Sequence, residues 1–306
     1  MKVFLFWAGH AYWPAAALLI VLIWRRTGPL RWFAILMLIA ISTLAYARFV
    51  EPRILNVERT EITLSGATGQ YDATIRIALF ADTHLGIFRN AIPVGRIVAR
   101  LKDEGPDAVF IAGDFLYHIK PENIPAALAP LGDLPMPVYA VLGNHDVGFP
   151  GPIYDEELYE ALTQLGVIMV ENRAINVTLN NQDIVIAGAS DLWQQQQDFS
   201  FSRDIADRPI LLLTHNPDTA LHVPPELEYD LMLAGHTHGG QVRIPGLVNR
   251  VVPTNYPFDK GLHIFSSIAG DRLVYVTSGT GMVGLPLRFN IAPRIDILTL
   301  HLPEAG

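Results

Sequence analysis

Residues 75–84 read IRIALFADTH. The apolar run Ile75 to Ala81 ends abruptly at Asp82, Thr83 and His84, a pattern that is typical of a buried strand leading into a polar loop. Seven further apolar runs predict strands, and most of them are also followed by a cluster of Asp, His, Asn or Gly. These runs cover residues 108–112, 138–142, 184–187, 210–213, 231–234, 273–277 and 295–300.

Helical patterns separate only some of these strands. One amphipathic pattern begins after Pro93, and another ends at Gly166. The order therefore starts as alternating strand and helix, whereas the later strands follow each other closely with Gly and Pro between them. This arrangement predicts an α/β protein with a mixed sheet or two packed sheets, rather than a uniform doubly wound sheet.

Five polar loops follow successive predicted strands. In open α/β sheets such loops converge at the carboxyl ends of the strands. A single His after a strand is weak evidence for a metal site, but five loops together supply imidazole nitrogens and carboxylate oxygens. That mixture suits zinc, iron or manganese, and there are enough donors for two divalent ions. The loops are Asp82-Thr83-His84, Gly113-Asp114, Gly143-Asn144-His145-Asp146, Thr214-His215-Asn216 and Gly235-His236-Thr237-His238.

A pair of divalent ions in one site can generate a hydroxide nucleophile. Ions about 3.5 to 4 Å apart share a bridging hydroxide, and metal binding lowers the pKa of water from ~15.7 to about 7. The predicted nucleophile is therefore a metal-bound hydroxide, and a short carboxylate such as Asp114 can bridge the ions. One imidazole, that of His145, remains for proton transfer to a leaving oxygen, with Asp146 as a candidate orienting partner.

The order DxH, GD, GNHD, H and GHTH resembles the calcineurin-like metallophosphoesterase superfamily over about residues 75–302. The resemblance implies an αββα sandwich, in which two packed mixed sheets are flanked by helices, and hydrolysis of phosphodiester or phosphomonoester bonds. It implies that His145 is catalytic and that Asp114 is shared by the two metal ions. The first ion would be held by Asp82, His84, Asp114 and His238, and the second by Asp114, Asn144, His215 and His236.

Residues 46–52, 235–246 and 286–290 resemble the membrane-anchored bacterial phosphodiesterase branch of that superfamily. The branch includes proteins similar to UDP-2,3-diacylglucosamine pyrophosphatases of lipid A synthesis, which is the alternative function. Either function implies a phosphoester substrate, and the second implies a lipid-linked one. Arg294 departs from the branch, which commonly carries an acidic residue at that position.

Charge and composition exclude several other classes. Since four of the 22 bases and none of the 30 acids lie in residues 1–47, the rest of the chain carries 18 bases against 30 acids. Nucleic-acid binders usually have a basic face, so no nucleic-acid-binding surface is expected. The absence of cysteine excludes thiolate metal sites and disulfides.

The first 50 residues predict a membrane anchor, and residues 51–306 the catalytic domain. Val3 to Trp24 contains 22 uncharged residues, about 33 Å of helix, and Trp32 to Ala47 contains 16, about 24 Å. We interpret the two runs as a transmembrane hairpin in the inner membrane. The arginines at 25, 26 and 31 place its loop in the cytoplasm and the catalytic domain on the outer, periplasmic side. Alternatively, Arg25 and Arg26 begin a twin-arginine export signal cleaved near Ala47.

A few residues outside the main motifs have weaker signals. Asp191 and Trp193 follow a predicted strand and are candidates for the rim of the site. Arg288 is equally compatible with substrate contact and with a structural role in its loop. Residues 279–284 match GxGxxG, but Pro286 follows at once, so the motif cannot open the helix that a dinucleotide site requires.

Overall fold

The structure, a computed structural model, describes residues 11–64, 73–88, 91–204, 208–245, 252–267 and 270–302. Two six-stranded sheets pack face to face in a mixed α/β fold. The predicted α/β fold with two packed mixed sheets and flanking helices is confirmed. All eight predicted strands are present, most within two residues of the predicted bounds.

The first sheet has the strand order β1-β14-β2-β4-β6-β7. Strands β2, β4, β6 and β7 are parallel to one another, whereas β14 runs antiparallel to β2. Every residue of β4 and β6 is buried, which explains their continuous apolar sequences. The strands are β1 (Asn56–Thr63), β2 (Thr74–Phe80), β4 (Ala108–Ala112), β6 (Val138–Val141), β7 (Ile168–Met169) and β14 (Arg294–His301).

The second sheet has the order β12-β13-β11-β10-β9-β8, with a parallel centre and an antiparallel strand at each edge. A separate two-stranded ribbon, β3 (Leu85–Gly86) with β5 (Leu116–Tyr117), lies beside the loops that follow β2 and β4. The strands of the second sheet are β8 (Arg173–Leu179), β9 (Gln182–Gly188), β10 (Ile210–Leu213), β11 (Leu231–Ala234), β12 (Gly261–Ser267) and β13 (Gly270–Val276).

Apolar side chains from both sheets form the central core. Phe110 and Leu298 from the first sheet pack in one buried cluster with Leu213 and Leu233 from the second. The outer face of the first sheet is covered by the helices α3 (Val94–Glu104), α4 (Ile124–Leu128) and α5 (Asp155–Gln164). The outer face of the second is covered by the 3-10 helix Pro217–Leu221 and by loop residues such as Phe258.

Two apolar helices precede the sandwich: α1 (Tyr12–Arg25) and α2 (Pro29–Ala45), which continues through one π-helical and one 3-10 turn. Within the described residues, the continuous segment Pro29–Arg53 alone is long and apolar enough to cross a membrane. The apolar pattern of the sequence instead predicts that the first run, residues 3–24, is the longer span. Residues 3–10 of that run lie outside the described residues, so the first span stays a prediction.

The end of this long segment is built into the two-sheet domain, because its last residues bond to the loop before β14. Ala47 O accepts a hydrogen bond from Arg288 N (2.9 Å), and the guanidinium of Arg48 donates to Pro286 O. The buried carboxylate of Glu51 accepts from Ile291 N (2.5 Å). The domain boundary predicted at residue 50 therefore falls inside a helical segment.

We expect Leu213→Ala to lower the free energy of unfolding by about 2 to 5 kcal/mol, since it removes a fully buried side chain from the core between the sheets. Leu262→Ala on the edge strand β12, where the side chain is 42% exposed, should cost less than about 1 kcal/mol. Urea unfolding of the full chain in detergent measures both. Equal losses would show that this inter-sheet core does not dominate stability.

Candidate metal centre

All seven residues that the sequence suggests as metal ligands lie in loops at the carboxyl ends of central parallel strands. The first sheet supplies those after β2, β4 and β6, and the second supplies those after β10 and β11. All seven side chains are buried, and the loops bring them into one cluster. They are Asp82, His84, Asp114, Asn144, His215, His236 and His238.

Three of these residues form a first group of facing donor atoms. The Nε2 atoms of His84 and His238 are 3.0 Å apart, and Asp82 Oδ1 lies 3.5 Å from His238 Nε2 and 4.0 Å from His84 Nε2. Two ring nitrogens and a carboxylate oxygen thus surround one point. This group could hold a metal ion.

A second group surrounds His215. Its Nε2 lies 3.0 Å from Asn144 Oδ1, 3.1 Å from His236 Nδ1 and 3.3 Å from Asp114 Oδ2. The same Asp114 oxygen is 3.4 Å from His84 Nε2, so it lies between the two groups. Asp82, Asp114 and His215 form a further set that could hold a metal ion.

The electrostatics of the cluster suit cations. Burial lowers the pKa of His84 and of His236 to about 3, so both rings are neutral and keep a lone pair for a ligand bond. Burial also disfavours charge on His215, but the nearby carboxylates of Asp114, Asp82 and Asp191 outweigh it and raise the pKa of His215 to about 10. The site thus attracts positive charge, and its nitrogen and oxygen donors fit divalent metals.

The backbone conformation of five donor residues determines the direction of their side chains. Asp82, His84, Asp114, His236 and His238 all have positive φ, between 44° and 70°. Non-glycine residues rarely adopt this left-handed conformation, and such strain is concentrated at functional sites. The sharp turns after β2, β4 and β11 therefore point the donor atoms of these five residues inward instead of continuing the strand.

Hydrogen bonds behind the ligands fix two of the imidazoles. His215 Nδ1 donates to Ala112 O (2.7 Å), which fixes the ring so that Nε2 faces Asn144 and Asp114. Arg288 is fully buried, and its Nη2 lies 3.4 Å from His238 Nδ1. Its guanidinium also donates to Gly281 O and Ser278 O (both 2.8 Å), so it ties its loop to the ligands instead of facing solvent.

His145 and Asp146 occupy different positions in the GNHD loop. His145 is partly exposed at the mouth of the cluster, where its ring centroid lies 5.1 Å from those of His84 and Tyr117. Asp146 is fully buried, and its two carboxylate oxygens accept backbone N–H groups of Gly143, Phe115 and Leu116 at 3.0 to 3.2 Å. Asp146 therefore joins its own GNHD loop to the segment that follows Asp114.

Two residues at the rim had weak sequence signals. Trp193 is 42% exposed, and its ring centroid lies 4.7 Å from that of His236 in an edge-on contact. Asp191 is buried, its Oδ1 accepts the backbone N–H of Trp193 (2.9 Å), and its Oδ2 has no hydrogen-bond partner among the described residues. Only their position after a strand could have indicated them.

The GxGxxG match at 279–284 forms a tight loop, not a helix. A Cβ at Gly279 would lie 2.7 Å from Asp82 Cβ, and one at Gly281 would lie 2.2 Å from Thr83 O. These glycines therefore allow the loop to pack directly on the Asp82 loop, and the absence of a helix within residues 279–284 agrees with the rejection of a dinucleotide site.

Comparison with known proteins agrees with this arrangement. A family model described as calcineurin-like phosphoesterase matches residues 75–240. The chain is similar to phosphodiesterase YaeI of Escherichia coli, with 31% identity over 235 residues that cover 74% of this chain and 83% of that protein.

Two further relatives extend the similarity. An uncharacterized metallophosphoesterase, YkuE of Bacillus subtilis, is 30% identical over 264 residues, covering 83% of this chain and 88% of its own length. A zebrafish (Danio rerio) transmembrane protein with a metallophosphoesterase domain is 30% identical over 248 residues, covering 76% of this chain and 54% of its own length. The resemblance inferred from the motifs is confirmed.

We expect Gly235→Ala to weaken metal retention at least tenfold, because the new Cβ would lie 2.6 Å from Ala81 Cβ and 2.9 Å from Asp82 Oδ2 and would displace that carboxylate. Gly95→Ala is the matched control, since its Cβ meets nothing closer than 3.7 Å. Metal content after dialysis against a weak chelator, by atomic emission, measures the effect. Full metal content in Gly235→Ala would contradict a ligand role for Asp82.

Proposed function

Because the chain belongs to the calcineurin-like phosphoesterase family, we propose that it is a membrane-anchored phosphodiesterase with two divalent cations and a lipid-linked substrate. Family membership makes it a metal-dependent hydrolase of phosphoric esters. The observation that carries the proposal is the convergence of seven buried donor residues from both sheets on one cluster.

The two groups of donors would hold one cation each, with Asp114 between them. When bound, such cations offset the negative charge on phosphoryl oxygens and make water a stronger acid. The acidic catalytic domain could therefore bind an anionic substrate without a basic surface. One group would consist of Asp82, His84, Asp114 and His238, and the other of Asp114, Asn144, His215 and His236.

His145 is the proposed proton donor. Its backbone N–H donates to Asp114 Oδ1 (2.8 Å), so the residue is held beside the cluster while its ring stays partly open to solvent. From this position an imidazole N–H can protonate the leaving oxygen as the phosphoester bond breaks. Asp146 supports the step indirectly, since it holds the GNHD loop against the Asp114 loop.

Two features favour an apolar or membrane-bound substrate. The exposed ring of Trp193 beside His236 provides an apolar surface at the rim of the centre. The apolar segment Pro29–Arg53 ends against the loop that carries Arg288, and Arg288 contacts His238. The same loop therefore lies against both the proposed anchor and the proposed metal centre. The similarity to YaeI supports a phosphodiester as the substrate class.

We expect His145→Ala to lower kcat on a chromogenic phosphodiester by about 10²- to 10⁴-fold with metal content unchanged, because it removes only the proton donor. Asp114→Asn should lower both kcat and metal content, because it removes a shared ligand. Initial rates and atomic emission on the same purified samples measure the two effects.

His222→Ala is the control for these variants, since His222 is exposed and is not a member of any of the five loops that carry the candidate ligands. It should keep both the wild-type rate and the wild-type metal content. Loss of metal in His145→Ala would place that residue among the ligands, and unchanged turnover would remove it from the mechanism.

Topology reporters test the side of the membrane. A C-terminal alkaline phosphatase fusion should be active and a C-terminal fluorescent-protein fusion dark, because three arginines lie in the loop at 25–31 and the catalytic domain would then face outward. The opposite pair of signals would contradict the outward orientation. It would instead favour the lipid-linked UDP-sugar pyrophosphatase, whose nucleotide substrate is made in the cytoplasm.

A further inference from the structure

A cavity of about 610 Å³ opens beside the end of the apolar segment Pro29–Arg53. Tyr46 and Glu51 of that segment line one side, and Ser278 and Phe289 of the catalytic domain line another. A cavity of this size is ample for a small ligand. It is distinct from the metal centre, because none of the seven donor residues lines it.

Charged side chains of both signs line this cavity. Arg243 and Arg294 are paired with acids outside it, at 2.9 Å from Asp259 and 3.0 Å from Asp296. Lys260 is exposed and forms no ion pair within the described part of the chain. Such a lining complements a ligand that itself carries both charges. The charged lining residues are Arg243, Lys260, Arg294, Glu51 and Glu58.

Two of the lining side chains are buried with polar atoms left unpaired among the described residues. Glu51 is 3% exposed, and its Oε2 has no hydrogen-bond partner, although Oε1 accepts from Ile291 N. Ser278 is fully buried, and its Oγ also lacks a partner. Unpaired buried polar atoms are costly, so this wall is suited to receiving the polar groups of a ligand.

We propose that the cavity binds the headgroup of a zwitterionic phospholipid, a phosphodiester of glycerol with an amino alcohol. The phosphate lies towards Lys260 and the two arginines, and the ammonium lies towards Glu51 and Glu58. The rings of Tyr46 and Phe289 add cation–π surface for the ammonium. The acyl chains extend along the apolar helix, so the assignment rests on the membrane anchoring proposed above and not on the catalytic activity.

Labelling of a single introduced cysteine tests the proposal, because the chain has no cysteine of its own. Asn56 lines the cavity and is exposed, so Asn56→Cys places a thiol at its edge. We expect saturating glycerophosphoethanolamine to slow maleimide labelling of the detergent-solubilised full chain at least fivefold. Adding Lys260→Glu should raise the half-protecting concentration about fivefold, since it reverses a charge that faces the phosphate.

Asn123→Cys, on an exposed turn outside the cavity, is the matched control and should label at the same rate with and without the ligand. Lys102→Glu, an exposed reversal on α3, should not change protection of Asn56→Cys. Absent protection, equal slowing in Asn123→Cys, or equal protection by inorganic phosphate alone would overturn the headgroup assignment. Carbonate extraction of the chain from membranes tests the anchor separately, so failure of the anchor and failure of the site are distinguishable.

Discussion

Negative charge buried where the two sheets meet is the constraint on which the site depends. Asp82, Asp114 and Asp191 are each at most 2% exposed and lie around one imidazole, that of His215. Buried carboxylates cost several kcal/mol unless opposite charge compensates them. Cations held by the neutral imidazoles around them would supply that compensation. The folded loops and the metal ions are thus expected to stabilise each other.

The surrounding scaffold holds this charged cluster at fixed distances. Strands of both sheets end at the same edge, and each supplies one or two candidate ligands, five of which have left-handed backbone conformation. Asp146 joins the GNHD loop to the segment after Asp114, and Arg288 joins its own loop to His238. The rigid elements therefore determine the ligand positions, and the loops determine their direction.

The clustering of the candidate ligands was predictable because all seven residues follow apolar strands within a few positions. That local rule located Asp82, His84 and the other donors without three-dimensional information. It could not determine the role of Arg288, whose partners are carbonyls in its own loop and an imidazole 50 residues away in sequence. Nor could it separate Asp146 from His145, since burial of one and exposure of the other depend on how the loop packs.

The fold was predictable at its centre and less so at its edges. Central strands such as β4 and β10 are buried on both faces and have continuous apolar sequences. The strands β1, β8 and β12 lie at sheet edges and carry polar residues on an exposed face, so no apolar run marks them. The helical segment Pro29–Arg53 extends beyond the uncharged run at residues 32–47. The extension is possible because the side chains of Arg48 and Glu51 form hydrogen bonds with the catalytic domain.

The direct bonding of that segment to the catalytic domain also limits where the domain can work. Ala47, Arg48 and Glu51 bond to the loop before β14, so across the described residues 29–64 the apolar segment joins the sandwich without a flexible linker. In a bilayer the catalytic mouth would therefore stay at a fixed height and tilt. For the proposed lipid-linked substrate, encounter would then occur by lateral diffusion, and turnover would follow the surface mole fraction of substrate, not its bulk concentration.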